Sequence, residues 1–222
     1  MDPTILNEGI PLLQEVLDDL VKGAEKDSTD ILGNLKNFDH FNVKRLISNN
    51  DFTTKLYHNF QIQANLLLEK QPPGSLDREL IKSLLIVATL LRQFEEQTLA
   101  VATGLAEISQ PDFSQMPDLL EEFASQVQET INRSISYFYM RTALGGKQLV
   151  QAENQASELY RKVLQQLFDD TASEQGQEQG QEESLKKALS WLEIVRRIER
   201  LCDIAVIVAA NGQFMGKHLL SW

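Results

Sequence analysis

The sequence predicts an all-α protein: two tandem three-helix bundles, six long helices in all, related by pseudo-two-fold symmetry. Three observations carry this prediction. The chain contains its own pattern twice, its apolar residues recur at three- and four-residue steps, and no segment of strand period is long enough to compete. The duplication shows when RLISNNDFTTKLYHNFQIQ from Arg45 is set above QLVQAENQASELYRKVLQQ from Gln148. Leu46 then meets Leu149, Ile47 meets Val150, Leu56-Tyr57 meets Leu159-Tyr160, and Phe60 meets Val163. At a slightly larger offset, SLLIVATLLRQFEEQTLAVA from Ser83 lies over SWLEIVRRIERLCDIAVIVA from Ser190. The drift falls where one copy has QPPGSLD and the other TASEQGQEQGQEE, so an insertion in a connecting loop accounts for it. The repeats are assigned to residues 1–110 and 111–222.

In the first copy, Leu12, Leu13, Val16, Leu17, Leu20 and Val21 fall at the steps of one buried helix face. Pro3 and Pro11 lack the amide donor and confine the regular helix to the residues after them, as far as Phe38, with Asp39 as N-cap of the next. A second helix spans Asn42 to Lys70 and stops at Gln71-Pro72-Pro73-Gly74; a third spans Asp77 to Glu107. Phe113, Met116 and Pro117 mark the linker between copies. The second copy repeats the order, with helices over Asp118–Leu144, Lys147–Phe168 and Ser184–Phe214, the first ended by Gly145-Gly146. Ala172 to Glu183, rich in Gln, Glu, Gly and Ser, has too little apolar surface to offset its ordering and reads as a mobile loop. The third helices share a stripe. Leu84, Val87, Leu91, Phe94, Thr98 and Val101 in one become Trp191, Ile194, Ile198, Leu201, Ala205 and Val208 in the other. Burial of that stripe, at roughly 25 cal/mol per Å² of apolar area, outweighs surface ion pairs of about 0.5 kcal/mol or less.

Composition narrows the function. The 222 residues carry 21 Lys and Arg against 32 Asp and Glu, a net charge of −11, and 42% of them are hydrophobic. Such a chain buries a core but repels phosphate backbones, and no basic stripe with interleaved aromatics is present, so nucleic acid is not the expected partner. Cys202 is the single cysteine, which excludes an internal disulfide framework and a thiolate metal cluster and fits a reducing cytoplasm. No basic start with an apolar centre marks a signal peptide, and the apolar runs, such as Leu201 to Ala210, are too short or too interrupted to span a bilayer. Membrane association is expected only through partners. The start at Met1 points to a free-standing protein and not to the soluble part of a transporter.

Catalytic constellations are missing from the sequence, and no catalytic residue is assigned. No G-x-S-x-G elbow occurs, and His40, His58 and His218 lie in scattered contexts. Gly145-Gly146-Lys147 is no phosphate loop, since Arg141 holds the place of the earlier glycine and Gln148 follows the lysine. Asn37, Lys55 and Met215, three residues before the histidines, exclude the Glu-x-x-His pairs of a di-iron bundle. One pair of carboxylates stands out. Glu199 and Asp203 share a helix face four residues apart, where like charges repel by a few tenths of a kcal/mol unless a cation relieves them. Hard cations take such oxygen ligands, which makes the pair a metal candidate. Arg196 and Arg200, each three residues before a carboxylate, supply the competing reading of ordinary surface ion pairs. Gly212 to Gly216, with His218 to Trp222, reads either as a docking tail or as a terminus packed on its own core; Cys202 reads as a small buried filler.

Four stretches, matching three patterns, resemble one known family, PhoU, over nearly the whole chain from Leu12 to Phe214. ENQASELYRKVLQQL from Glu153, and NDFTTKLYHNF from Asn50, resemble its second-helix pattern. LEKQPPGSLDREL from Leu68 resembles the family's Gln-Pro-Val-x-x-Asp-Leu-Arg turn, with Gln71, Pro72 and Arg78 matching and the Asp-Leu order inverted at Leu76-Asp77. IERLCDIAVIVAA from Ile198 resembles its most diagnostic segment, Leu-Glu-Arg-Ile-Gly-Asp-His-Ala-x-Asn-Ile-Ala, with Cys202 in place of the glycine. In the family this segment carries an E/D-x-x-x-D-x-x-x-N/D pattern that holds multinuclear metal clusters. Carried over, the second copy supplies Glu199 and Asp203 but has Ile207 as the third residue; the first supplies only Glu96, flanked by Arg92 and Ala100. The resemblance therefore implies a lost first site and, at most, a weakly bound divalent or ferric metal at the second. It also implies a non-enzymatic, cytoplasmic, homo-oligomeric adaptor that links a phosphate transporter component to a sensor histidine kinase and represses phosphate-starvation signalling. The alternatives are a helical scaffold for an unrelated basic protein and a metal-binding protein or metal-dependent enzyme.

Overall fold

The computed structural model describes residues 3–37, 40–108, 116–140, 146–173 and 178–219. They form six α-helices, α1 (Pro3–Leu32), α2 (His40–Lys70), α3 (Leu76–Glu107), α4 (Leu120–Met140), α5 (Gly146–Ser173) and α6 (Glu178–Leu219), with a 3-10 turn at Leu35–Asn37 and no strand among the described residues. The helices α1 to α3 pack on one another, as do α4 to α6, and the trios join where α3 lies along α6 and α1 along α4. The apolar side chains of both trios belong to one continuous core, with a small satellite of Tyr137, Leu149 and Ala209.

Burial follows the duplication residue by residue. Leu46 and Leu149 are both buried, Phe60 and Val163 are both buried, and Ile47 and Val150 both face solvent. Every residue of the paired α3 and α6 stripes is buried, including Thr98, whose hydroxyl donates to the Phe94 carbonyl and so brings no unpaired polar atom into the core.

Local chemistry sets the turn between α2 and α3. Gly74 has a φ of 78°, a left-handed conformation that a side chain resists. Ser75 then caps α3, its hydroxyl accepting from the Arg78 amide at 3.2 Å. Arg78, one of the three residues matching the family turn, donates from Nη1 to the carbonyls of Leu68 at 2.8 Å and Gln71 at 3.1 Å. These carbonyls stand at the C-terminal end of α2, where the helix cannot satisfy them itself.

The structure departs from the sequence expectation at several points, among them the end of α6, which runs to Leu219 and not to Phe214. Pro3 and Pro11 both lie within α1; Pro3 opens it, where no donor is missed, and Pro11 is exposed. The same helix ends at Leu32, not Phe38, because Gly33 and Asn34 turn the chain into the 3-10 segment. Leu12 is 52% exposed, so the buried face runs through Leu13, Leu17, Leu20, Ala24 and Ile31. The expected loop at 172–183 is largely helical: α5 reaches Ser173 and α6 starts at Glu178, since Gln and Glu are good helix formers that extend a helix already nucleated. Asp39, Phe113, Gly145 and Trp222 lie outside the described residues. Met116 packs against the core, and Met215 is 1% exposed within α6, so that part of the C-terminal segment packs inward.

Candidate functional site

The residues singled out for metal chemistry lie on α3 and α6. On α3, Arg92 is the centre of a small network. Its Nη1 donates to Asn50 Oδ1 of α2 at 2.6 Å, and its Nη2 lies 3.2 Å from Glu96 Oε1 one turn on. The guanidinium thus occupies the position that a first carboxylate of the family pattern would take and neutralises the second. Ala100, the third position, supplies no donor atom. A cation brought to Glu96 would have to displace Arg92.

On α6, Glu199 and Asp203 are half-buried neighbours. Burial raises the Glu199 carboxyl above its ordinary range, the charge of Asp203 adds to this, and Arg196 and Arg200 oppose it. Arg200 Nη1 lies 3.5 Å from Asp203 Oδ2. Tyr160 of α5 feels both carboxylates: burial, then Glu199, pushes its hydroxyl up, with Asp203 adding to the effect. Ile207 is exposed and offers no oxygen. Two carboxylates beside two guanidinium groups fall short of the six or more oxygens a hard cation gathers. Among the described residues, no group of three or more His, Cys, Asp or Glu side chains is arranged to hold a metal. The donor set does not fit a multinuclear cluster.

Cys202, between these carboxylates in sequence, points into the core. Burial pushes its thiol up to about 12, with the charges of Asp203 and Glu153 adding to this while Thr130 pulls it down. It is the buried filler that the sequence implies.

A cavity of about 650 Å³ opens between α3 and α6, bounded by Leu99, Trp191 and Ile194 below and by Glu96, Glu193 and Arg197 at the rim. Arg197 Nη1 of α6 also donates to Gln97 Oε1 of α3 at 3.3 Å, which ties the two helices together beside it. Two further acidic residues escape a sequence reading that places charged residues in solvent. Asp27 and Glu95 are 2% and 3% exposed. The pattern does carry a signal: Asp27 continues the Leu20, Ala24 spacing, and Glu95 lies four after Leu91 and three before Thr98. Among the described residues no helix is long and apolar enough to cross a membrane.

Comparison with known proteins bears on the same elements. Residues 120–211, from the start of α4 into α6, match the family model described as the PhoU domain. No curated protein matches the chain. Among solved structures, the fold is that of PhoU from Pseudomonas aeruginosa, with a TM-score of 0.79 over 95% of this chain and 98% of that one, at 17% sequence identity.

Proposed function

We propose, from the premise that this chain is a member of the PhoU family, that it is an adaptor in the control of phosphate uptake and phosphate-starvation signalling. The observation that carries the reading is the PhoU domain at residues 120–211, set in a duplicated bundle whose fold is that of PhoU along almost its full length. An adaptor of this kind works by presenting long helical faces to partner helices, and the exposed apolar residues of α2, Phe52, Ile62 and Leu66, give it such a face. The expected partners are a phosphate transporter component and a sensor histidine kinase, met in the cytoplasm by a homo-oligomer. The same reading assigns residues 1–110 to the first repeat and 111–222 to the second, supported by the mutual packing within each trio.

The regulatory cycle does not run through a resident metal cluster. Glu199 and Asp203, with Glu96 in the first repeat, are what remains of the cation positions, and Arg92 and Arg200 supply positive charge beside them. Stoichiometric iron, zinc or manganese in purified protein would overturn this point and revive a metal-binding role.

Deletion of the gene is the direct test. Loss of the protein is expected to leave phosphate uptake and a phosphate-responsive reporter active in phosphate-rich medium. Unchanged uptake and expression would reject the phosphate reading, and a pull-down recovering only partners unconnected with phosphate would favour a scaffold with a different client.

A further inference from the structure

The first trio holds ionisable groups in its core at positions where the second has none that is charged. The offsets between copies pair Asp27, Thr53 and Glu95 with Thr130, Ala156 and Cys202, and all six residues are buried. A Cβ on Gly23 of α1, one turn before Asp27, would meet Glu95 Oε1 of α3 at 3.6 Å and Thr53 Cγ2 of α2 at 4.0 Å, and the charge of Asp27 acts on Glu95, so the three helices converge on one polar spot. We propose that Asp27 and Glu95 form a buried proton-binding site in which Asp27 is ionised and Glu95 carries the proton.

The assignment follows from their partners. Asn49 Nδ2 donates to both oxygens of Asp27, at 3.1 and 3.4 Å, which favours the charged form. Glu95 Oε1 is buried and accepts no hydrogen bond. An ionised carboxylate in that position would lose its hydration with only the pull of Arg92 in return, whereas a neutral carboxyl avoids most of that cost. The nearby cations are engaged elsewhere: Arg45 with Asp30 at 2.8 Å, and Arg92 with Asn50 and Glu96. Among the described residues, the charges that act on the pair are Lys26 and Asp30 of α1, Arg45 of α2 and Arg92 of α3. Their balance leaves Glu95 high. Burial, then the charge of Asp27, lifts its carboxyl to about 8 against the pull of Arg92. Burial also raises Asp27, and the Asn49 hydrogen bond opposes that rise. A metal ion is the poorer ligand, because Asn49 turns its hydrogens, not a lone pair, toward the Asp27 oxygens.

A raised carboxyl makes folding take up a proton. Between the ordinary value of 4.5 and about 8 the unfolded chain has released a proton that the folded chain keeps, so stability falls as pH rises through this window and levels off above it.

The test uses the purified full chain and its Glu95→Gln variant, unfolded in urea from about pH 5 to about pH 9. The folding constant of the parent is expected to fall up to tenfold per pH unit between about 5 and 8, relative to the variant. In infrared spectra, the carbonyl stretch of a protonated carboxyl is expected at neutral pH, lost in the variant and lost from the parent above about pH 8. The infrared titration of the parent stands even where the variant folds poorly. Absence of that band at neutral pH would overturn the proposal, as would parallel pH profiles for the two proteins. So would saturable stabilisation of the parent by sodium, magnesium or manganese chloride that Glu95→Gln abolishes, which would make the site one for a cation.

Discussion

The Arg92 guanidinium lies 3.2 Å from the Glu96 carboxylate, on the helix face where a related acidic pattern would gather metal. The Arg92 side chain is only 18% exposed, and its second hydrogen bond, to Asn50, ties α3 to α2. Arg92→Ala leaves the Asn50 oxygen without its donor and is expected to cost about 1–2 kcal/mol, measured by urea unfolding. Most of this cost is expected to persist in high salt, because the pair with the exposed Glu96 is worth little by itself.

Equivalent positions in the two copies are expected to respond alike. Leu91 and Ile198 hold the same place in the buried stripes of α3 and α6 and are 4% and 0% exposed. Truncation of either to alanine is expected to cost about 2–5 kcal/mol. A loss confined to one of them, seen by chemical denaturation, would separate the packing of the trios despite their shared pattern.

Two glycines are expected to differ in sign. A Cβ on Gly212 of α6 would lie 2.7 Å from the Phe138 Cα and 2.8 Å from its carbonyl oxygen in α4, backbone atoms that cannot step aside. Gly212→Ala is expected to destabilise by about 1–3 kcal/mol as the helices are forced apart. On Gly23, the nearest atoms are Glu95 Oε1 at 3.6 Å and Thr53 Cγ2 at 4.0 Å, ordinary contact distances. Gly23→Ala is expected to stabilise by about 0.5–1 kcal/mol through helix propensity. Thermal melts of the pair provide the comparison.

Much of this fold can be read from the amino-acid order, because a buried helix face repeats at a period that side-chain chemistry exposes directly. The α3 and α6 stripes are the clearest case, and the α2 to α3 turn follows from Pro72, Pro73 and Gly74. Where reading fails, two physical effects compete. Leu12 lies on the outer face of α1 although Leu13 beside it is buried, since an isolated exposed apolar residue costs little. The segment after Phe168 has the composition of a loop and the propensity of a helix, and its described residues, up to Ser173 and from Glu178 on, continue the long flanking helices. The candidate site is half visible. Glu199 and Asp203 stand out by spacing, but the roles of Arg92 and Asn50 depend on a contact between residues 42 apart in the chain.

Cys202 offers a check on core access. Its buried thiol, held up to about 12, is expected to resist thiol reagents in the native state at about pH 8 and to react once urea opens the bundle. Rapid native labelling would mean that α6 breathes away from α4 and α5.

Since one uninterrupted apolar interior serves both trios, neither is expected to survive excision. A gene cut between α3 and α4 would yield two polypeptides, each with an uncovered oily wall, that aggregate alone and recover only when co-expressed. Calorimetry of the intact chain is expected to give a single endotherm. On that expectation the doubled pattern is a single cooperative unit, in which neither half can be exchanged or lost without the other.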